Sequence, residues 1–232
     1  STNFKIDWGG SVNVYGKGYK EVKGPGAGQT HTWYGSGAGH GGEGGYGSLA
    51  GGLSYDSLTA PSNFGSGGGT GSGNLGGDGG GLIKLNISGT LTASGTISAN
   101  GENLTTSSWG GGGAGGSIWI TAVTLAGTST ISANAGSCGT NATVMTGGGG
   151  GGRIAIFYTT NNYTGSTTAY GSNSGPGFRY GGAGTVYIKP ASGNGDLTID
   201  NNDLYNSLDL YAGKTEISGT YAFDTVTTGN YG

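Results

Sequence analysis

The sequence is short of charge: only 9% of its 232 residues are Asp, Glu, Lys or Arg, with 9 Lys+Arg against 12 Asp+Glu and a formal net charge of −3. Nine basic residues leave no positive stripe to neutralise a phosphate backbone, which excludes nucleic acid as a partner. One cysteine, Cys138, cannot form an internal disulfide. The two histidines, His31 and His40, are too few for a histidine-based metal site. No apolar run is long enough to span a bilayer as a helix. The chain opens on Ser1 rather than Met, as a processed or excised N-terminus would.

Glycine fills the space. It accounts for 59 of 232 residues, against a usual share of ~7%. A collagen helix is excluded by the missing Gly-X-Y period, and an α-helical protein by the cost of helical glycine, roughly 1 kcal/mol each. The glycine tracts alternate with segments of clean period two, so the expected class is all-β. The abundance of Ser, Thr, Asn and Tyr beside little Lys and Glu points to a secreted or cell-surface protein. Four Asn-x-Ser/Thr sequons, at Asn86, Asn103, Asn141 and Asn162, are glycosylation candidates.

The central region is an internal repeat. A Gly-Gly pair followed by an aliphatic strand recurs with anchors at Ile83, Ile118, Ile154 and Val186, spaced by 35, 36 and 32 residues. Such a period signals a stacked architecture. In the first unit Ile83, Leu85, Ile87, Leu91, Ala93, Ile97 and Ala99 share one parity, with polar residues between them. The second unit slips by one residue, which predicts a bulge near Thr121-Ala122. Stacked in register, the units would place Ile83 by Ile118 and Ile97 by Ile131. The endings Ala99-Asn100-Gly101 and Ala133-Asn134-Ala135-Gly136 predict turns with positive φ. The glycine tracts at 35–47, 65–81, 110–116, 147–152 and 181–184 have two readings, laterally packed extended helices or mobile loops.

Chemistry-bearing residues are scattered. Asp196, Asp200 and Asp203 are the nearest approach to a calcium-binding group, but solvated turn residues explain them better. His40 and Glu43 have metal-ligand spacing without a third ligand, and Cys138 has no neighbouring base. No catalytic residue, metal site or cofactor is therefore expected. Trp33, Tyr34, Tyr163, Tyr170, Phe178 and Tyr180 suit stacking on sugars or on a neighbouring subunit, or covering glycine backbone within one molecule.

The run Gly65-Ser66-Gly67-Gly68-Gly69, the strand opening at 79–87, the Gly-Thr-Ile-Ser-Ala-Asn-Gly element at 95–101 and residues 147–156 together resemble the glycine-rich β-solenoid segments of large secreted or surface, adhesin-like proteins. The resemblance covers roughly residues 16–226 and brings no catalytic motif. It implies a parallel β-helix, solenoid-like, with polyglycine II-like excursions. A looser resemblance, to the glycine-rich extracellular region of anaplastic lymphoma kinase receptors, implies the alternative: an antiparallel β-sandwich with a polyglycine helix bundle.

The expected organisation is one elongated β domain over 1–232, with a glycine-rich part at 1–81, repeats at 82–190 and compact β-coils at 191–232. The expected function is a non-enzymatic extracellular structural protein, part of a surface fibre, sheath or adhesin stalk. Its partner would be itself, through Phe4, Ile6 and Trp8 as an assembly strand. A glycan-binding surface module and a polysaccharide-degrading enzyme are the alternatives.

Overall fold

The computed structural model describes residues 2–104, 109–139, 145–172, 179–204 and 212–229. Among these residues there is no helix. Two short N-terminal strands, β1 (Phe4–Ile6) and β2 (Ser11–Asn13), precede a long glycine-rich excursion. Three long-short pairs follow: β3 (Leu82–Ala93) with β4 (Thr96–Ser98), β5 (Ser117–Gly127) with β6 (Thr130–Ser132), and β7 (Arg153–Tyr163) with β8 (Ser166–Thr168). The last strands are β9 (Thr185–Pro190), β10 (Asp196–Asp200) and β11 (Thr225–Gly229).

The strands form two sheets. A seven-stranded mixed sheet has the order β1-β3-β5-β7-β9-β10-β11, and a four-stranded parallel sheet the order β2-β4-β6-β8. The repeat period sets the register. Ile83, Ile118, Ile154 and Val186 are partners on successive strands, and Ile97 pairs with Ile131 in the second sheet. The apolar parity of each strand is thereby buried between the sheets, where Ile97, Ile118, Ile120, Ile131, Ile154 and Ile156 are fully enclosed. Replacing Ile118 by Val removes one methylene from this row and should cost about 1 kcal/mol in a denaturant titration.

The irregularity lies on the other strand from the one the sequence suggested. The register slips between Ile87 and Thr90 of β3, whereas β5 runs unbroken against β7. The extra residue is therefore at Ser88-Gly89, where Gly89 lies close against the Thr2 carbonyl. The Asn-containing endings also work differently from the expectation, because neither Asn100 nor Asn134 has positive φ. Instead their side chains bridge rungs. The Asn134 N–H donates to Asn100 Oδ1, and the Tyr170 N–H to Asn134 Oδ1, each at 2.8 Å.

The parallel β-helix and the alternative antiparallel β-sandwich are both corrected by this topology. The sheets are open, the ladders from β1 to β9 are parallel, and β10 reverses direction against β9. The physical reason lies in the glycine segments. A coil closed by strands pairs only with the rungs above and below it, but a backbone without side chains accepts neighbours on every side. From residue 111, successive amides donate to Gly69 and Gly147; after Gly113, the next three donate to Ser66, Gly150 and Ala99. Bonds to one neighbour return every third residue, as in Gly112 to Gly147 and Gly115 to Gly150. Segments from 24–81, ahead of the repeats, interleave with these tracts, so the glycines build a bundle in place of a third β face. Close approach demands glycine here: a Cβ on Gly37 would overlap the Gly148 carbonyl. In the C-terminal part, Leu197-Thr198-Ile199 lies in β10, whereas residues 215–217 form no strand and 208–210 lie outside the described residues.

Candidate functional site

The residues Ser117, Arg153 and Thr185 open β5, β7 and β9 and are partners across those strands. All three are buried polar side chains, placed directly after a glycine and before the aliphatic row. The irregular segment 53–64 lies over them. Arg153 Nε donates to the Tyr55 carbonyl at 2.8 Å, and its Nη1 to Thr185 Oγ1 at 3.2 Å. Burial pushes the Arg153 pKa down, partly offset by the nearby Asp56 charge.

Beside Arg153 the fold assembles a serine, a histidine and an aspartate. His40, from a glycine tract, is fully buried, as is Ser117. His40 Nε2 lies 3.4 Å from Asp56 Oδ2 and 3.5 Å from Ser117 Oγ, and Ser117 Oγ lies 3.3 Å from the same carboxylate oxygen. Asp56 sits at φ 72°, in the left-handed region, with its carboxylate accepting from the Ser62 and Asn63 amides and the Asn63 side chain. Burial alone would raise the Asp56 pKa. Hydrogen bonds from His40 and from the Asn63 and Ser57 amides outweigh it, and with the His40 charge they hold the carboxyl well below the ordinary range. Burial also pushes the Tyr55 hydroxyl up, out of the range where it would ionise.

The composition is that of an acyl-transfer triad, but the wiring differs. In such a triad the acid and the nucleophile occupy opposite ring nitrogens. Here Asp56 and Ser117 both face Nε2, while Nδ1 meets the Gly115 carbonyl at 2.8 Å, an acceptor that requires a hydrogen on Nδ1. The Ser117 hydroxyl points its proton at the Asn63 carbonyl, 2.7 Å away. Ser117 and His40 are fully buried and the Ser117 proton is directed at the Asn63 carbonyl, so the group works as a clasp that fixes segment 53–64 to the sheet ends.

A groove of about 440 Å³ opens on the outer face of the larger sheet. Asn86, Thr121, Phe157 and Lys189 are successive partners along its floor, with Val123 and Pro190 at its margin. Nearby, Lys84 Nζ lies 3.6 Å over the Trp119 ring.

The residues singled out from the sequence are not brought together. Asn86 and Asn162 are exposed on β3 and β7. Asn103 is exposed, with its Oδ1 accepting from the Ser137 amide at 2.9 Å. Asn141 lies outside the described residues, as does Phe178. Phe4 and Ile6 are half-buried and buried in β1, paired in parallel with β3, and Trp8 follows at 92% exposure. His40 and Glu43 diverge, since Glu43 Oε2 accepts from the Lys214 amide. Asp200 accepts from the Asn202 amide within a turn, and no cluster of His, Cys, Asp or Glu suited to a metal occurs among the described residues. Tyr34 stacks on Trp109 at 5.2 Å, Tyr163 donates to the Ser129 carbonyl, and Tyr180 is buried. Several of the aromatics therefore cover the chain's own backbone, while Trp33 remains exposed.

No protein-family model, curated protein or solved structure matches the chain. The functional reading rests on the residues and their geometry.

Proposed function

We propose that the protein is a non-enzymatic extracellular structural protein, a subunit or segment of a surface fibre, sheath or stalk, working by self-association. The observation that carries this reading is the glycine bundle. Its segments are joined laterally by backbone hydrogen bonds that recur every third residue, and it flanks two sheets whose outer strands keep open edges. A framework held by main chain on one side and aliphatic rows on the other suits load-bearing. The Ser117, His40 and Asp56 group is spent on internal contacts and leaves no reactive atom at the surface. Among the described residues no helix is long and apolar enough to cross a membrane.

Electron microscopy of the purified chain at rising concentration tests the reading. Elongated assemblies that lengthen with concentration are expected. Isolated particles of one size at every concentration would count against it. A glycan array in which carbohydrate binding is lost on changing Phe157 or Lys189 would favour a glycan-binding module instead.

A further inference from the structure

We infer that Trp8 is a knob that seats in the groove on the larger sheet of a second copy of this chain, joining copies head to tail. The inference rests on the self-association proposed above and names its two surfaces and their symmetry.

The knob is built by a turn. β1 ends at Ile6, and residues 7–10 fold back so that the Gly10 amide donates to the Asp7 carbonyl at 2.9 Å. Gly9, at φ 81°, supplies the left-handed conformation that a type II turn needs at its third position. Trp8, at the second position, stands 92% exposed, more than any other large apolar side chain among the described residues. The turn projects clear of the fold, since a Cβ on Gly9 would meet nothing within 4 Å. Its base is nonetheless fixed: the Ile6 carbonyl accepts from the Ser94 and Gly95 amides, and the Gly10 carbonyl from the Thr96 amide. A ring on so firm a mount loses little freedom when it is bound.

The hole lies elsewhere on the same chain. At about 440 Å³ the groove is large enough for an indole ring. Val123, Phe157 and Pro190 offer it apolar contact, and Asn86 and Thr121 carry oxygens able to accept from the indole N–H. A chain cannot fill its own groove. Thr121 on the floor lies six residues before Gly127, the β5 partner of Ala93, whereas Trp8 lies beyond Ile6, the β1 partner of Ala93. The separation is roughly 20 Å along the strands. From Thr121 the floor runs further from β1, across β7 to β9.

Charge complementarity selects a second copy as the occupant. The groove carries Lys189 and, among the described residues, is lined by no Asp or Glu. Lys189 donates to the Gly193 carbonyl, which engages one of its three protons. Asp224 is held ionised mainly by the Gly195 and Asn194 amides and only last by Lys189. The knob brings the opposite sign, because Asp7 adjoins Trp8 and its side chain is 72% exposed, paired only with the exposed Lys5. Surface pairs of that kind are weak, so Asp7 is free to turn to Lys189 as Trp8 enters the groove. Knob and groove are different surfaces, so the contact is heterologous and repeats from copy to copy into an open filament. A single tryptophan ring buries about 150–250 Å², far below the roughly 1,200 Å² of a lasting interface. Assembly is therefore reversible and driven by concentration. It also leaves β1 in its own sheet, unlike the donation of that strand to a neighbour.

Sedimentation over a wide concentration range, with circular dichroism to confirm folding, tests the contact. Trp8→Ser removes the knob, and Val123→Glu sets a carboxylate in the groove where Asp7 would approach; both side chains are exposed, so both variants should fold. Each is expected to raise the concentration needed for assembly by about tenfold or more. An equimolar mixture should form a one-to-one pair and stop there, since the pair is left with a blocked groove and a missing knob. Tryptophan emission of the wild type should shift to the blue as concentration rises, and that of Trp8→Ser should not. Assembly indifferent to either substitution, a mixture that fails to pair, or an emission shift that survives Trp8→Ser would each overturn the inference. Filaments that form unchanged in both variants would leave the structural function standing and remove only this contact, whereas a wild-type chain that is monomeric at every concentration would remove both.

Discussion

Gly37→Ala is expected to leave little folded protein. Gly37 lies in the bundle, where its N–H donates to the Gly45 carbonyl and its own carbonyl accepts from Gly52, each at 2.9 Å. A methyl group there would overlap the Gly148 carbonyl and sit 3.0 Å from the Gly45 nitrogen. Those obstacles are backbone atoms tied into further hydrogen bonds, so none can swing aside as a flexible side chain would. The cost should exceed about 3 kcal/mol, the upper end for inserting atoms into a packed interior. That is a large part of the roughly 5–15 kcal/mol that holds a domain folded. Gly229→Ala is the control. Its Cβ would come no nearer than 3.9 Å to Asp200, so its stability should stay within about 0.5 kcal/mol of wild type. Denaturant titrations followed by circular dichroism compare the two, and equal stability would contradict the bundle.

Removing the Asp56 carboxylate is the second large effect. Asp56→Ala strips the buried His40 ring and the Ser62 and Asn63 amides of their acceptor. Leaving buried hydrogen-bond donors without their acceptor costs roughly 1–3 kcal/mol for each group stranded. Asp56→Asn keeps the shape and tolerates the left-handed backbone, so it isolates the charge. Because the folded-state pKa of Asp56 is depressed, its contribution is complete above the ordinary value of 3.8 and is lost as pH falls below that towards the folded value. Asp224, held low mainly by the Gly195 and Asn194 amides, gives a slope of the same sign. The stability of wild type should therefore decline on acidification below about pH 4, and that of Asp56→Asn should decline less steeply. Parallel curves for the two proteins would remove Asp56 from the account.

The aliphatic rows were legible in the sequence because burial writes itself in side chains. Ile83, Ile118, Ile154 and Val186 repeat at nearly constant spacing, and that spacing became the strand register. The glycine bundle left no such record. A residue without a side chain carries no periodicity, so nothing in residues 35–47 announces that they lie beside 147–151. The reversal at β10 was hidden too, since Leu197 and Ile199 alternate in the same way whichever direction the strand runs. The buried clasp was the least visible part. Ser117 lies 77 residues from His40 and 61 from Asp56, and only the register of β5 brings them together. One signal was available, the polar residue immediately after a glycine in the last three of the four units, at Ser117, Arg153 and Thr185.

The interleaving of early and late glycine segments bears on how the protein is made. Residues 35–45 find hydrogen-bonding partners at 109, 112, 148 and 151, and Glu43 exchanges bonds with Lys214. As the chain is synthesised, residues 35–45 therefore emerge well before the partners they bond to, and these contacts wait for the later segments. Contacts so distant along the chain make for slow folding. A bundle of this kind closes only once segments from both ends of the described chain are present together.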